Sequence, residues 1–372
     1  MDDRPVGLDI YRTAIPMRSF EHSAASRSRA EAVVVRLRLA DGREGWGETH
    51  PRQYVTGETV ETVIEDLAGL LWPEYCRTRG VPFRQTSQGR VINAAACALE
   101  LAHLDATDGF AREGAVTPTI AARVSGVIGS ADPGKTARQL ALMRCVGLRD
   151  FKLKCGLGAQ TDRENLRVVS ARLAGSLAAA RCTLRVDVNG GWDAASTPAR
   201  VAELKSLGVC VVEQPVFCPA GELADLAARC DLPLMADESL LTDDDAKDLL
   251  AGPGHVWWNI RISKNGGCVR SLRLARLAAE HGVAFTVGCM VGESAILSAA
   301  QRRLLQACPA PRFVEGNYGR FLLRSDVAER SPRFGYGGRL KVLAGGGLGV
   351  AVCGRKLARH GRLARSLQAA EG

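Results

Sequence analysis

From about residue 119 to residue 319 the chain alternates short apolar runs with segments of helix length, and this rhythm leaves few folds open. The runs are Thr119 to Val127, Asp150 to Lys154, Thr183 to Val188, Val209 to Glu213, Pro233 to Ala236, Val256 to Ile262, Ala284 to Val287 and Arg312 to Val314. Between them lie helical patterns such as Pro133 to Val146, Asp162 to Ala180, Ser196 to Leu207 and Val269 to His281, each long enough for a parallel crossover. Eight strands joined by seven helices predict a closed (β/α) barrel, with its chemistry at the C-terminal ends of the strands. An open doubly wound sheet would need a glycine-rich phosphate loop after its first strand, and Gly126-Val127-Ile128-Gly129 is not one. The other glycine clusters, at Gly156 to Gly158 and Gly345 to Gly349, lack the strand-to-helix setting of such a loop and read as turns.

The flanks read differently. Val6 to Ile15 and Ala32 to Leu39 are strand-like, and Ala40-Asp41-Gly42 supplies a turn before a third strand ending at Thr49. Thr59 to Leu71 and Arg90 to Thr107 carry apolar residues at helical spacing. Leu340 to Leu343 and Gly349 to Cys353 look like strand material returning to this first unit. The expected fold class is α/β: a modified (β/α)8-type barrel, (β/α)7β, with an α+β capping domain built from both terminal segments. The expected division is residues 1–115 for the N-terminal cap, 116–323 for the barrel and 324–372 for the returning segment. Two polar stretches, Arg18 to Arg29 and His50 to Glu58, are expected as mobile lids.

Composition excludes several function classes. The formal charge of +9 is spread along the chain, and its one cluster, Arg355 to Arg365, contains no aromatic residue that could stack on a base. That cluster is expected to be a solvated tail, and no nucleic-acid partner is expected. The twelve cysteines are scattered through apolar runs without metal-ligand spacing, as in a reducing compartment. The N-terminus begins with acidic residues, and no run of about 18 apolar residues occurs, so a cytoplasmic protein with no membrane partner is expected.

The strand ends carry the chemistry. In the second barrel strand Lys152 and Lys154 share one face by period-two alternation. Taken alone, such a pair reads as a solvated strand face. The third strand, however, ends in Asp187-Val188-Asn189, the fourth in Glu213-Gln214-Pro215, the fifth in Asp237-Glu238-Ser239, and the sixth leads to Ser263-Lys264-Asn265. With neighbouring strands about 4.8 Å apart, Asp187, Glu213 and Asp237 would converge, which costs several kcal/mol unless a cation neutralises them. All-oxygen ligands that leave room for water and substrate favour Mg²⁺, for which Mn²⁺ could substitute. Lysines on either side of a metal suit removal of a proton α to a carboxylate, because the cation stabilises the enediolate and a lysine near cations gives up its proton more readily.

At these residues the chain resembles the enolase superfamily, and within it the muconate-lactonizing subgroup. Lys-x-Lys, Asp-x-Asn, Glu-Gln-Pro, Ala-Asp-Glu-Ser and Lys-Asn-Gly-Gly occur in order on consecutive barrel units, and the likeness covers nearly the whole chain. The resemblance implies that Asp187, Glu213 and Asp237 bind Mg²⁺, with Asn189 and Glu238 behind them. It implies that Lys154 and Lys264 face the reacting carbon and that Lys152 holds the substrate carboxylate. The two polar stretches would be specificity loops, offering His22, Arg52, Tyr54 and Thr56. Cys289 and Met290 of the seventh strand and Glu315 and Asn317 of the eighth complete the substrate-binding candidates. Tyr54 to Glu58 and the Gly288 to Ser294 region are similar to dipeptide epimerases and related racemases. Dipeptide epimerases carry Asp-x-Asp on the eighth strand, whereas this chain has Glu315-Gly316-Asn317. The expected activity is a racemase or epimerase of an amino-acid derivative or dipeptide-like carboxylate. The alternatives are a muconate-type cycloisomerase, a syn-dehydratase like o-succinylbenzoate synthase and, remotely, a noncatalytic scaffold contacting nucleic acid. Homo-oligomers are usual in this superfamily, and one is expected here.

Overall fold

A computed structural model of the protein describes residues 2–22, 25–82, 84–111 and 119–369, with the side chains of 19–27 and 111 outside the description. An antiparallel sheet near the N-terminus comprises β1 (Pro5–His22), β2 (Ala25–Leu39) and β3 (Glu44–Thr49). Alternation buries Leu8, Ile10, Val33, Val35 and Leu37 on one face, where they meet α1 (Val60–Asp66), its continuation through Leu67–Leu71 and Trp72–Thr78, and α2 (Asn93–Ala106). Almost every residue of α2 is buried, which explains its apolar character on all sides: it lies between sheet and barrel.

Glycine makes that approach possible. A Cβ on Gly47 would stand 1.9 Å from the carbonyl oxygen of Ala98, and one on Gly45 would stand 2.0 Å from that of Ala102. The Gly-Trp-Gly spacing thus turns two bare positions of β3 toward α2 and lets backbone lie on backbone.

The barrel strands are β4 (Gly126–Ile128), β5 (Asp150–Lys154), β6 (Thr183–Asp187), β7 (Val209–Glu213), β8 (Leu234–Ala236), β9 (Val256–Ile260), β10 (Phe285–Val287) and β11 (Phe313–Val314). They form one parallel sheet in sequence order, and a parallel bridge from Val124 to Val314 joins its two edges. Between them run α3 (Pro133–Cys145), α4 (Ala159–Ala178), α5 (Thr197–Ser206), α6 (Ala220–Ala227), α7 (Asp243–Ala251), α8 (Cys268–Glu280) and α9 (Ala295–Ala307). This is the expected (β/α)7β barrel with an antiparallel sheet beside it. The boundary expected at residue 115 lies outside the described residues.

Three expectations change. The stretch Arg18 to Arg29 is not a loop: β1 and β2 continue through it, pairing His22 with Ala25 around Ser23 and Ala24, which lie outside the described residues. Backbone pairing needs no apolar side chains, so the hydrophobic pattern stops before the strands do. Leu340 to Leu343 and Gly349 to Cys353 form no strands. The returning strand is instead β12 (Gly361–Gln368), which pairs antiparallel with β1. The basic run is therefore not a frayed tail, since it builds α10 (Gly354–His360) and this edge strand, whose half-exposed position tolerates its arginines. All twelve cysteines are free. Among the described residues no helix is long and apolar enough to cross a membrane.

Buried carboxylates tie the layers together. Glu48 accepts from the Ser294 hydroxyl at 2.7 Å and from the backbone N–H of Leu297 at 3.0 Å, capping α9 from β3. Glu100 of α2 accepts from the N–H groups of Cys268 and Val269, capping α8 in the same way. Gly47→Ala, whose Cβ has no space, is expected to destabilise the protein by about 3 kcal/mol, measured as a lowered denaturation midpoint, whereas the same change at Gly221, open and within α6, should be neutral or stabilise by up to about 1 kcal/mol.

Candidate active site

Register assembles the site. Lys154 pairs with Asp187 and Asp187 with Glu213, so these three side chains stand abreast on neighbouring strands. One step deeper Lys152 pairs with Arg185. Met235 pairs with Glu213, and Asp237 follows two residues later on the same face. Asn259 and Arg261 arrive from β9 and the residue after it, and Glu315 from the end of β11. All of these side chains are buried.

Opposite charges alternate through the cluster. Lys152 Nζ lies 3.0 Å from Glu213 Oε2, 3.3 Å from Asp187 Oδ2 and 2.7 Å from Glu315 Oε2. Arg185 Nη1 donates to Glu315 Oε1 at 2.9 Å. Lys154 Nζ donates to Asp187 and, at 2.9 Å, to Asn189 Oδ1, while Asn189 Nδ2 donates to Glu238 Oε1 at 3.2 Å. Arg261 Nη2 bridges Asp237 Oδ2 and Glu213 Oε1, and Asn259 Nδ2 donates to the same Glu213 oxygen at 2.8 Å.

Burial opposes charge throughout, and the neighbours decide each outcome. Burial works to raise Asp187, but Lys154 and Lys152 hold it far below the usual carboxylate range. Glu315 is likewise held low against burial by Lys152 and Arg185. Burial and the repulsion of Asp187, with Glu315 and Asp237, push Glu213 up to about 7. Burial, Asp237 and Asp187 push Glu238 up to about 8. Lys152 resists its burial, kept well above an ordinary lysine by Glu213, Glu315 and Asp187.

Asp187, Glu213 and Asp237 supply only hard oxygen donors, and Asp237 Oδ1 is buried with no hydrogen-bond partner among the described residues, so the donor set fits a divalent hard ion. Among the described residues no three His, Cys, Asp or Glu side chains form a ready ligand cluster, and Lys152 and Arg261 are interleaved between these carboxylates.

β9 ends at Ile260 rather than Ile262, and Lys264 stands in the turn that follows. Its Nζ donates to the main-chain oxygens of Asp237 at 2.6 Å and Asn259 at 2.8 Å, and lies 3.1 Å from Asp237 Oδ1. Burial lowers its pKa, with Asp237 opposing and Arg261 adding to the effect. The side chain that reaches across the cluster is Arg261.

The substrate-binding candidates divide. Glu315 is inside the cluster, and Met290 borders it, with its sulfur 3.7 Å from Arg261 Nη1. The Cys289 thiol is pushed well up by burial, with Glu293 and Glu315 contributing. Asn317 turns away: its Oδ1 accepts from Arg302 at 2.7 Å and its Nδ2 donates to Gln301 at 2.7 Å. Arg52 works as a clamp, donating to the carbonyls of Glu31, Pro51 and Val291. The stretch around it is thereby anchored rather than a free lid: Tyr54 is half-buried in the turn Gln53–Thr56, Thr56 is buried, and Glu58 caps α2 through Ala94 at 2.9 Å. His22 ends β1, and its side chain lies outside the described residues.

Sequence reasoning missed Arg185, Asn259, Arg261 and Gln214. Arg185 is two residues before Asp187, and Arg261 two after Asn259, so strict alternation could have found them. Gln214 gave no such signal. Its Oε1 accepts from the N–H groups of Asp237 at 2.8 Å and Ser239 at 3.1 Å, from a left-handed backbone at φ 36°, and so sets the direction of the neighbouring strand end.

Comparison with known proteins agrees with this geometry. The family model "Enolase C-terminal domain-like" matches residues 135–356, more than half of the chain. The L-Lys-D/L-Arg epimerase of Methylococcus capsulatus is 32% identical over 339 residues, covering 86% of this chain and 90% of that protein. The N-succinyl-L-Arg/Lys racemase of Bacillus cereus is 28% identical over 309 residues, covering 79% and 81%. The crystal structure of the Bacillus cereus racemase superposes with a TM-score of 0.84 at 23% identity, covering 98% of this chain and 99% of that one. That of the Methylococcus capsulatus dipeptide epimerase, complexed with Mg and the dipeptide L-Arg-D-Lys, superposes with a TM-score of 0.77 at 29% identity, covering 94% and 99%. The chain belongs to the enolase superfamily, in its subgroup of muconate-lactonizing enzymes and epimerases.

Proposed function

We propose that this protein is a Mg²⁺-dependent isomerase, a racemase or epimerase that removes and returns the proton α to the carboxylate of an amino-acid derivative. The observation that carries the reading is the abreast array of Lys154, Asp187 and Glu213 with Lys152 beneath and Asp237 beside it. The names of the relatives, which are racemases and epimerases of amino-acid derivatives and dipeptides, support it. Asp187, Glu213 and Asp237 would hold the metal, which when bound supplies Lewis-acid charge at the substrate carboxylate. Lys152, kept protonated by three carboxylates, holds that carboxylate by charge.

Lys154 is the base. Its Nζ stands beside Asp187 and Asn189 and is engaged by one carboxylate, whereas Lys152 is engaged by three. A metal held by Asp187 would weaken that carboxylate's hold on the lysine proton. Lys264, with Arg261 in front of it, forms the opposite wall. A one-base reaction, ring closure or syn-dehydration, is favoured by a single observation: Arg261, which keeps its proton, is the side chain that reaches across. Product NMR separates the two readings, since only inversion leaves the covalent structure unchanged.

The eighth strand bears on the substrate. Glu315 is already engaged by Lys152 and Arg185, and Asn317 by Arg302 and Gln301, which leaves a substrate ammonium poorly served. Among the described residues, Nε and Nη2 of Arg185 are buried without a hydrogen-bond partner. Both features favour an N-acylated amino acid over a dipeptide with a free ammonium.

Three outcomes follow. In D₂O, Lys154→Ala is expected to lose α-hydrogen exchange from one stereoisomer and Lys264→Ala from the other, each by about 10²- to 10⁴-fold; wild-type turnover in both variants would sink the two-sided reading. Mg²⁺ at about 100 times its Kd should stabilise the protein by about 2.7 kcal/mol in thermal melts, and Glu213→Gln should lose that shift. An N-acyl amino acid should exceed the matching dipeptide in kcat/KM by at least about tenfold, read by polarimetry.

A further inference from the structure

At the end of the barrel opposite the charge cluster, Arg123, Arg144, Arg149, Arg181 and Arg339 line one surface pocket of about 320 Å³ together with Tyr336. Arg149 and Arg181 lie just before β5 and β6, and an antiparallel bridge pairs Arg123 with Arg339, so the fold itself gathers these guanidinium groups at the N-terminal ends of the strands. Among the described residues none of the five makes an ion pair with a carboxylate. Asp150, a carboxylate beside the pocket, accepts from the Thr183 hydroxyl at 2.6 Å.

Two of the arginines reach the neighbouring helix. Arg144 donates to the carbonyl of Arg172 at 3.0 Å and Arg181 to that of Gly175 at 3.1 Å, both within α4. Among the described residues Arg123, Arg149 and Arg339 cap no helix. Like charges drawn into one hollow repel, and a surface selected only for solubility would intersperse carboxylates among them. Tyr336 adds a flat apolar face: its ring packs on Gly147, where a Cβ would stand 2.8 Å from it, and remains 76% exposed.

We propose that this pocket binds a small polyphosphate, inorganic or carried by a nucleotide, at a site separate from the barrel mouth and independent of the reaction assigned there. Guanidinium forks match phosphate oxygens two at a time, and a compact ligand with three or four negative charges can engage several arginines at once. A concave pocket of this size admits such a ligand, whereas a duplex would meet only its rim.

The test is calorimetric titration of the full chain, in Mg²⁺-free buffer at physiological salt, with sodium tripolyphosphate, ATP and a short DNA duplex. Tripolyphosphate is expected to bind with one-to-one stoichiometry, and Arg149→Ala and Arg339→Ala to weaken it by about tenfold each. Both positions are exposed, and the variants are expected to keep wild-type melting and turnover. Tighter binding of ATP, lost in Tyr336→Ala, identifies the nucleotide as the source of the phosphates, and equal binding identifies the inorganic ion. Absence of binding, binding unchanged in both arginine variants, or stronger binding of the duplex than of either small ligand overturns the proposal.

Discussion

Everything at the mouth of the barrel depends on alternating buried charge. Isolated, each of these side chains would be intolerable in the interior, because moving a single ion out of water costs several kcal/mol even after relaxation. Lys152 answers three carboxylates, Arg261 two, and Lys154 and Lys264 one each, so none of these four cations is left alone. The same alternation leaves Glu213 a weaker acid than Asp187, since burial and the carboxylates on both flanks press it upward while two lysines hold Asp187 down. A site balanced in this way responds strongly to any added charge, which is what a reaction that builds a second negative charge on a carboxylate requires.

The balance holds only because the strand ends are fixed from outside. Gln214 holds the backbone of Asp237 and Ser239, and Asn93 of α2 donates to the carbonyl of Lys264 at 2.8 Å. The Thr49 hydroxyl lies 2.8 Å from that of Ser263. Glu48 and Glu100, buried on the cap side, each close the N-terminus of a barrel helix. The cap is therefore joined to the barrel by polar contacts that converge on the turn after β9, next to Arg261 and Lys264. Gly45 and Gly47 set how closely α2, which carries two of those contacts, can lie on the sheet.

Much of this was legible in the sequence. The barrel rhythm, the strand-end carboxylates and the Lys-x-Lys pair are all local patterns, and period-two alternation carries side chains onto a shared face without any knowledge of distant contacts. Legibility failed where the backbone left its regular course. β9 ends two residues before its apolar run does, so Lys264 comes from a turn, and Arg261, which no motif marks, enters the cluster. Asn317, which reads as a site residue, takes a left-handed backbone at φ 59° and bonds to α9 instead. The hairpin through residues 18–29 and the strand Gly361–Gln368 escaped notice because both pair without burying an apolar face.

The sequence by itself determined the (β/α)7β barrel, the lysines and carboxylates at its C-terminal ends, and the family they announce, since all of these follow from periodicity and from residue order. Only the tertiary structure brought Arg261 between Asp237 and Glu213, because that depends on where a strand stops and how the turn beyond it is held by Asn93 and Ser263. It alone also gathered five arginines at the far end of the barrel. Their positions span residues 123 to 339, and no local pattern joins them until the ring of strands closes.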